Sequence, residues 1–214
     1  MIKLSNLIQT VASVTDFPEN SVKLAARTLR EDGLITSTGR GFGGADMLPK
    51  DASNLLIGLM ASTRLIDAPQ AVTFSRLATP REKGVKRFKK NSNFDDKEDF
   101  WDDTANFGDA LDRLIGGMNT VPGAKPPMGE FEITFKANRE QFSAQNKIKY
   151  TTISKFEEVE YLYHIADDQS RDIQSKIRDN PKYKINDDIS YTARIVPHGV
   201  LMILSALFHP GQYL

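Results

Sequence analysis

Cysteine is absent from the 214 residues. Disulfides, thiolate nucleophiles and Cys-ligated zinc are therefore excluded, and nothing points to an oxidising compartment. Net charge is absent too, because Lys plus Arg and Asp plus Glu stand at 28 each. No whole-chain field draws the molecule to DNA or to anionic lipid, so any basic surface has to be local. Histidine is scarce: His164, His198 and His209 are widely spaced and fit no metal pattern such as HExxH. Long apolar runs are missing as well. The longest, VLMILSALF near the C-terminus, is broken by Ser205 and falls far short of the roughly 20 residues that cross a bilayer. The opening MIKLSNLIQTV lacks the apolar stretch of a signal peptide. GxSxG, Walker and DxDxDG calcium-loop patterns do not occur. The expectation is a soluble, cytoplasmic protein that is not an enzyme, with no catalytic residue, metal, cofactor or membrane contact.

What is present divides the chain into three regions: 1–68, helix-rich; 69–104, charge-segregated; and 105–214, alternating strand and helix signals. In the first, Leu4, Leu7, Ile8, Val11 and Val14 form one helical stripe. TDFP (15–18) breaks it, and Pro18 suits the first turn of a second helix, ENSVKLAARTLRED. Val22, Ala25, Ala26 and Leu29 form the inner face of that helix, and Gly33 ends it. A short strand is expected over LITST, then a glycine loop, then a helix from about Pro49 with Leu55, Leu56, Leu59 and Met60 inward.

The second region holds REKGVKRFKK (81–90), six basic residues against Glu82 alone, followed by DDKEDFWDD (95–103), six acids against Lys97. Such opposed blocks predict a solvated linker, or a basic arm for phosphates restrained by the acids. Phe100 and Trp101 inside the acidic block either anchor a partner or pack locally.

In the third region TANFGDALDRLIGGM predicts a helix with Phe107, Leu111, Leu114 and Ile115 inward. EFEITFK, KIKYTT and ISYTARIV alternate as half-buried strands. FEEVEYLYHIA fits strand or helix, and DDQSRDIQSKIRD predicts a helix. PHGVLMILSALF is apolar nearly all round, as for a helix buried in a core or against a second subunit.

LREDGLITSTGRGFGGADM (29–47) places Gly39, Gly41 and Gly44 in the order GxGxxG. A dinucleotide fingerprint needs a buried strand before the first glycine, a helix at the last, and a second parallel strand with a suitably placed acid. Those neighbours are missing. The wider stretch IQTVASVTDFPENSVKLAARTLREDGLITSTGRG resembles a winged helix-turn-helix: two short helices joined by a tight turn, then GLI, then a glycine-rich basic hairpin. The resemblance covers residues 4–47 and looks most like regulators carried by phages and prophages. The usual family has three helices before the wing and this chain offers two, so the helix after the loop is expected to supply the missing packing partner.

The charges point the same way. Lys23, Arg27 and Arg30 recur at i, i+4 and i+7 opposite the apolar face. Asn20 and Ser21 open the helix, where amides meet phosphate and short side chains reach base edges. Arg40 lies between two glycines. Four phosphate contacts per protomer correspond to a salt slope of about −4, and a dimer to about −7. So weak a module implies a homodimer on a palindrome, with the apolar C-terminal helix as the second contact.

The expected fold class is thus α+β: an N-terminal winged helix-turn-helix-like module plus a C-terminal antiparallel sheet with packed helices. The expected function is a dimeric, sequence-specific regulator of transcription that binds double-stranded DNA through Asn20, Ser21, Lys23, Arg27, Arg30 and Arg40. The alternative is a phage-encoded inhibitor or adaptor of the anti-defence type. It would occupy a host protein through its C-terminal domain, and such a protein could also control its own gene.

Overall fold

The computed structural model describes residues 2–37, 44–62, 64–87, 106–116, 129–138, 143–152, 157–164 and 191–208. Helix α1 (Leu4–Thr15) buries Leu7, Ile8 and Val11. Its chain reverses at Asp16, whose φ of 58° is a left-handed conformation that Asp tolerates better than bulkier residues. Helix α2 (Glu19–Glu31) buries Val22, Ala25, Ala26 and Leu29, and adds Thr28, whose hydroxyl donates back to the Leu24 carbonyl. Gly33 follows at φ 73° and turns the chain out of the helix, where an L side chain would be strained.

Helix α3 (Pro49–Ala61) is central, and every residue from Asp51 to Ala61 is buried. It packs against α2, against α4 (Ala68–Leu77), and against α5 (Phe107–Ile115). Gly58 permits this. A methyl group added there would lie 3.1 Å from Leu29 Cδ1 and 3.2 Å from Ala68 Cβ, so two neighbouring helices seat on α3 at one point. Asn106 caps α5 by accepting the Asp109 amide at 2.8 Å. The last helix, α6 (His198–Phe208), packs on α1, α3 and α5 and buries Val200, Leu201, Leu204 and Ser205. One hydrophobic core runs from Leu7 to Leu204.

Five backbone segments trace as strands: β1 (Thr79–Arg87), β2 (Gly129–Asn138), β3 (Ser143–Thr152), β4 (Glu157–His164) and β5 (Tyr191–Pro197). They lie in the order β1-β4-β3-β2-β5 with antiparallel neighbours. Ile133 faces Ile148 on one side and Val196 on the other in this register.

The expected fold class is corrected. Where side chains are described, the molecule is 74% helix and 6% strand and contains no sheet, which does not fit a C-terminal antiparallel sheet domain. The physical reason is the shared core. Helices from both ends of the chain bury their apolar faces on α3, and the strand at one edge of the traced array, β1, precedes α5 in sequence. The strand expected over LITST is absent as well, since residues 34–37 are in no strand. The boundary expected near residue 68 falls at the start of α4, whose Val72 and Phe74 belong to that core. The 95–103 acidic block, with Phe100 and Trp101, and the helix expected over DDQSRDIQSKIRD lie outside the described residues, as does His209.

Candidate nucleic-acid interface

The inner face of α2 is pinned to the core, and that decides which side chains point out. Asn20, Lys23, Leu24, Arg27 and Arg30 are exposed, and Ser21 is half-buried. The helix thus brings five of the six expected site residues onto accessible surface. Arg40 lies outside the described residues.

The electrostatics of this face differ from the expected basic stripe. Lys23 Nζ sits 2.7 Å from a Glu19 carboxylate oxygen, and Arg27 Nε donates to Glu31 at 2.8 Å. Both pairs span i and i+4 along the helix. Glu31 holds the Arg27 guanidinium above its ordinary pKa, first through that hydrogen bond and then through charge. Arg27 stays protonated at all ordinary pH, so no stability is gained or lost there as pH changes. Over residues 19–32 the three cations Lys23, Arg27 and Arg30 meet three acids, Glu19, Glu31 and Asp32, and the local field is close to neutral. Arg30 enters none of the ion pairs among the described residues. The signal was legible, because acids four residues from Lys23 and Arg27 are i,i+4 partners by spacing alone.

The glycine-rich segment leaves the C-terminal end of α2 and returns to α3. On the outgoing limb the Leu34 amide donates to the Leu29 carbonyl at 2.9 Å, and the Leu34 carbonyl accepts from Asn54 Nδ2 at 2.6 Å. On the returning limb the Met47 amide donates to the Ile2 carbonyl at 2.8 Å. Asp46 bridges to Lys3, whose ammonium also donates to the Gly44 carbonyl at 2.6 Å. Sequence reasoning did not find the residue that joins the two limbs, Asp51. Its one trace in the sequence was an acid at the third position of α3, where a carboxylate reaches back to the N-cap amide.

Among the described residues no group of three or more His, Asp or Glu side chains is placed to hold a metal ion, and no helix is long and apolar enough to cross a membrane. His164 ends β4, and His198 begins α6. No family model, no curated protein and no solved structure matches the chain.

Proposed function

We propose that the chain is a DNA-binding transcriptional regulator without catalytic activity, docking α2 and the adjoining glycine-rich segment on double-stranded DNA. Its phage or prophage type rests on the resemblance of the N-terminal sequence alone. The observation that supports the reading is the exposed face of α2, with Asn20, Ser21, Lys23, Arg27 and Arg30 outside, beside a segment fastened to the same helix end. Because Lys23 and Arg27 already have carboxylate partners, the cations left for phosphate are Arg30, which enters none of the ion pairs among the described residues, and Arg40, which has no acid within four residues in the sequence. The expected salt slope falls to about −2 per protomer. Arg30→Ala combined with Arg40→Ala is expected to abolish a low-salt gel shift on the gene's own upstream DNA. An undiminished shift would remove α2 from the interface.

So shallow a slope requires a second half-site, and α6 offers the contact. This helix carries no Asp, Glu, Lys or Arg, and its one titratable residue is His198 at the start. It turns Met202 and Ile203 outward, 37% and 49% exposed. An uncharged helix face is self-complementary about a two-fold axis, because no like charges oppose. Ile203→Asp is expected to convert a dimer to a monomer in light scattering and to weaken DNA binding with it.

The same face is the observation that favours the second reading, an inhibitor or adaptor seated on a host protein. There the native chain is monomeric, and Ile203→Asp abolishes capture of that host protein while any binding to its own upstream DNA is unchanged.

A further inference from the structure

Among the described residues Asp51 is the only buried ionisable side chain, 2% exposed. A carboxylate in such a place is tolerated only when its oxygens are bonded. Here Oδ1 accepts the Thr36 amide at 2.7 Å and the Thr36 hydroxyl at 3.0 Å, while Oδ2 accepts the Leu48 amide at 2.7 Å. Thr36 lies on the outgoing limb of the glycine-rich segment, and Leu48 is the N-cap residue of α3, where the returning limb ends. One side chain in the first turn of α3 therefore holds both limbs. Within the described residues no backbone hydrogen bond joins residues 34–37 to 44–48. The limbs are fastened to the body and not laddered to each other.

Asn54, one turn further along α3, adds its bond to the Leu34 carbonyl. Its own orientation is set from the other side, where Oδ1 accepts from Arg76 at 2.9 Å. A guanidinium can only donate, so the Asn54 oxygen has to face Arg76 and its NH2 has to face Leu34.

We infer that Asp51, seconded by Asn54, is a positioning residue: it fixes residues 34–37, which leave the end of α2, against the start of α3, and so holds the C-terminal end of α2 in the orientation in which its outer face meets DNA. The role in binding rests on the DNA-binding reading above; the clamp itself does not.

Asp51→Asn in the full-length protein tests both. The new amide turns a donor toward the Thr36 or Leu48 amide, and a charge-assisted bond is lost. Hydrogen exchange at Thr36 and Leu48 is expected to quicken by about tenfold or more, with core amides of α1 and α3 unchanged. Affinity for the upstream duplex is expected to fall by about tenfold. Thr36→Val removes only the hydroxyl bond and leaves α3 untouched, so it should show a smaller effect confined to Thr36. Unchanged exchange at Thr36 and Leu48 would overturn the clamp. A rise shared equally by the α1 and α3 core would overturn it too, since Asp51 would then serve global stability. Quickened exchange with unaltered affinity would overturn the positioning role. A wild-type protein that binds no DNA at low salt sinks the functional reading, and the exchange data alone then decide the clamp.

Discussion

Replacing Glu19 and Glu31 together by Gln is expected to tighten binding to the upstream DNA by roughly tenfold to a hundredfold at about 0.1 M salt. Each carboxylate sits within 2.8 Å of a cation on the outer face of α2. A phosphate approaching Lys23 or Arg27 has to share that cation with a fixed negative charge. Gln keeps the length of the side chain and nearly the same helix propensity, so the fold is spared. Two cations are released, and the slope of log K against log salt is expected to steepen from about −2 to about −4 per protomer. Fluorescence anisotropy at a series of salt concentrations reads both quantities. Unchanged affinity and slope would mean that phosphates never approach this face. A host protein seated on the Met202 and Ile203 face of α6 would be held as before after the same substitution, so the two readings part at this variant.

Much of the helical body was legible because burial and periodicity agree. The stripe Val22, Ala25, Ala26 and Leu29 is the buried face of α2, and Phe107, Leu111, Leu114 and Ile115 are buried in α5. The left-handed turn at Gly33 was legible for the same local reason. Helix α4 was missed. Pro69 and the neighbouring charged run read as linker, although Pro is welcome in a first turn and Ala68, Val72 and Ser75 repeat at i, i+4 and i+7. The short strand over LITST failed because β-branched residues state a preference for extended backbone, not a partner. Leu34 and Thr36 give their hydrogen bonds to α2 and α3 instead.

At the candidate site, exposure was legible and electrostatics was misjudged. The face opposite an apolar stripe has to point outward, and Lys23, Arg27 and Arg30 are exposed there. Counting cations along that face without the acids one turn away overstated its charge. Asp51 and Asn54 were illegible for a deeper reason. The bond of Asp51 to the Leu48 amide is a local one at the start of α3, but Thr36 and Leu34 are 15 and 20 residues distant from Asp51 and Asn54, and no local pattern records those contacts.

Arg76→Ala is expected to destabilise the protein by about 2–4 kcal/mol, seen as a fall in Tm of roughly 5–15 °C for a chain of this size. Arg76 lies in α4 with its side chain 15% exposed. It donates to Asp112 in α5 at 3.2 and 2.5 Å and to Asn54 in α3 at 2.9 Å, so one guanidinium joins three helices. Its stem runs over Gly108, where an added methyl group would meet Arg76 Cγ at 2.7 Å. Truncation removes that packing and leaves two acceptors without a donor, the wholly buried Asn54 and the partly buried Asp112. The partial exposure of the pair keeps the estimate below the full cost of stranding a buried charge. Lys is no remedy, because a point charge cannot bridge Asn54 while binding Asp112 in the same forked geometry. Arg76→Met with Asp112→Leu should recover about half of the loss, since the stranded carboxylate is gone and apolar volume replaces it. A double variant no more stable than Arg76→Ala would place the loss in the bond to the buried Asn54 oxygen, which Met cannot make. Because Asn54 also holds the Leu34 carbonyl, the single variant should loosen the outgoing limb of the glycine-rich segment before the core opens. Its DNA affinity at temperatures well below Tm should fall accordingly, and full affinity in a destabilised but folded Arg76→Ala protein would confine Arg76 to the core.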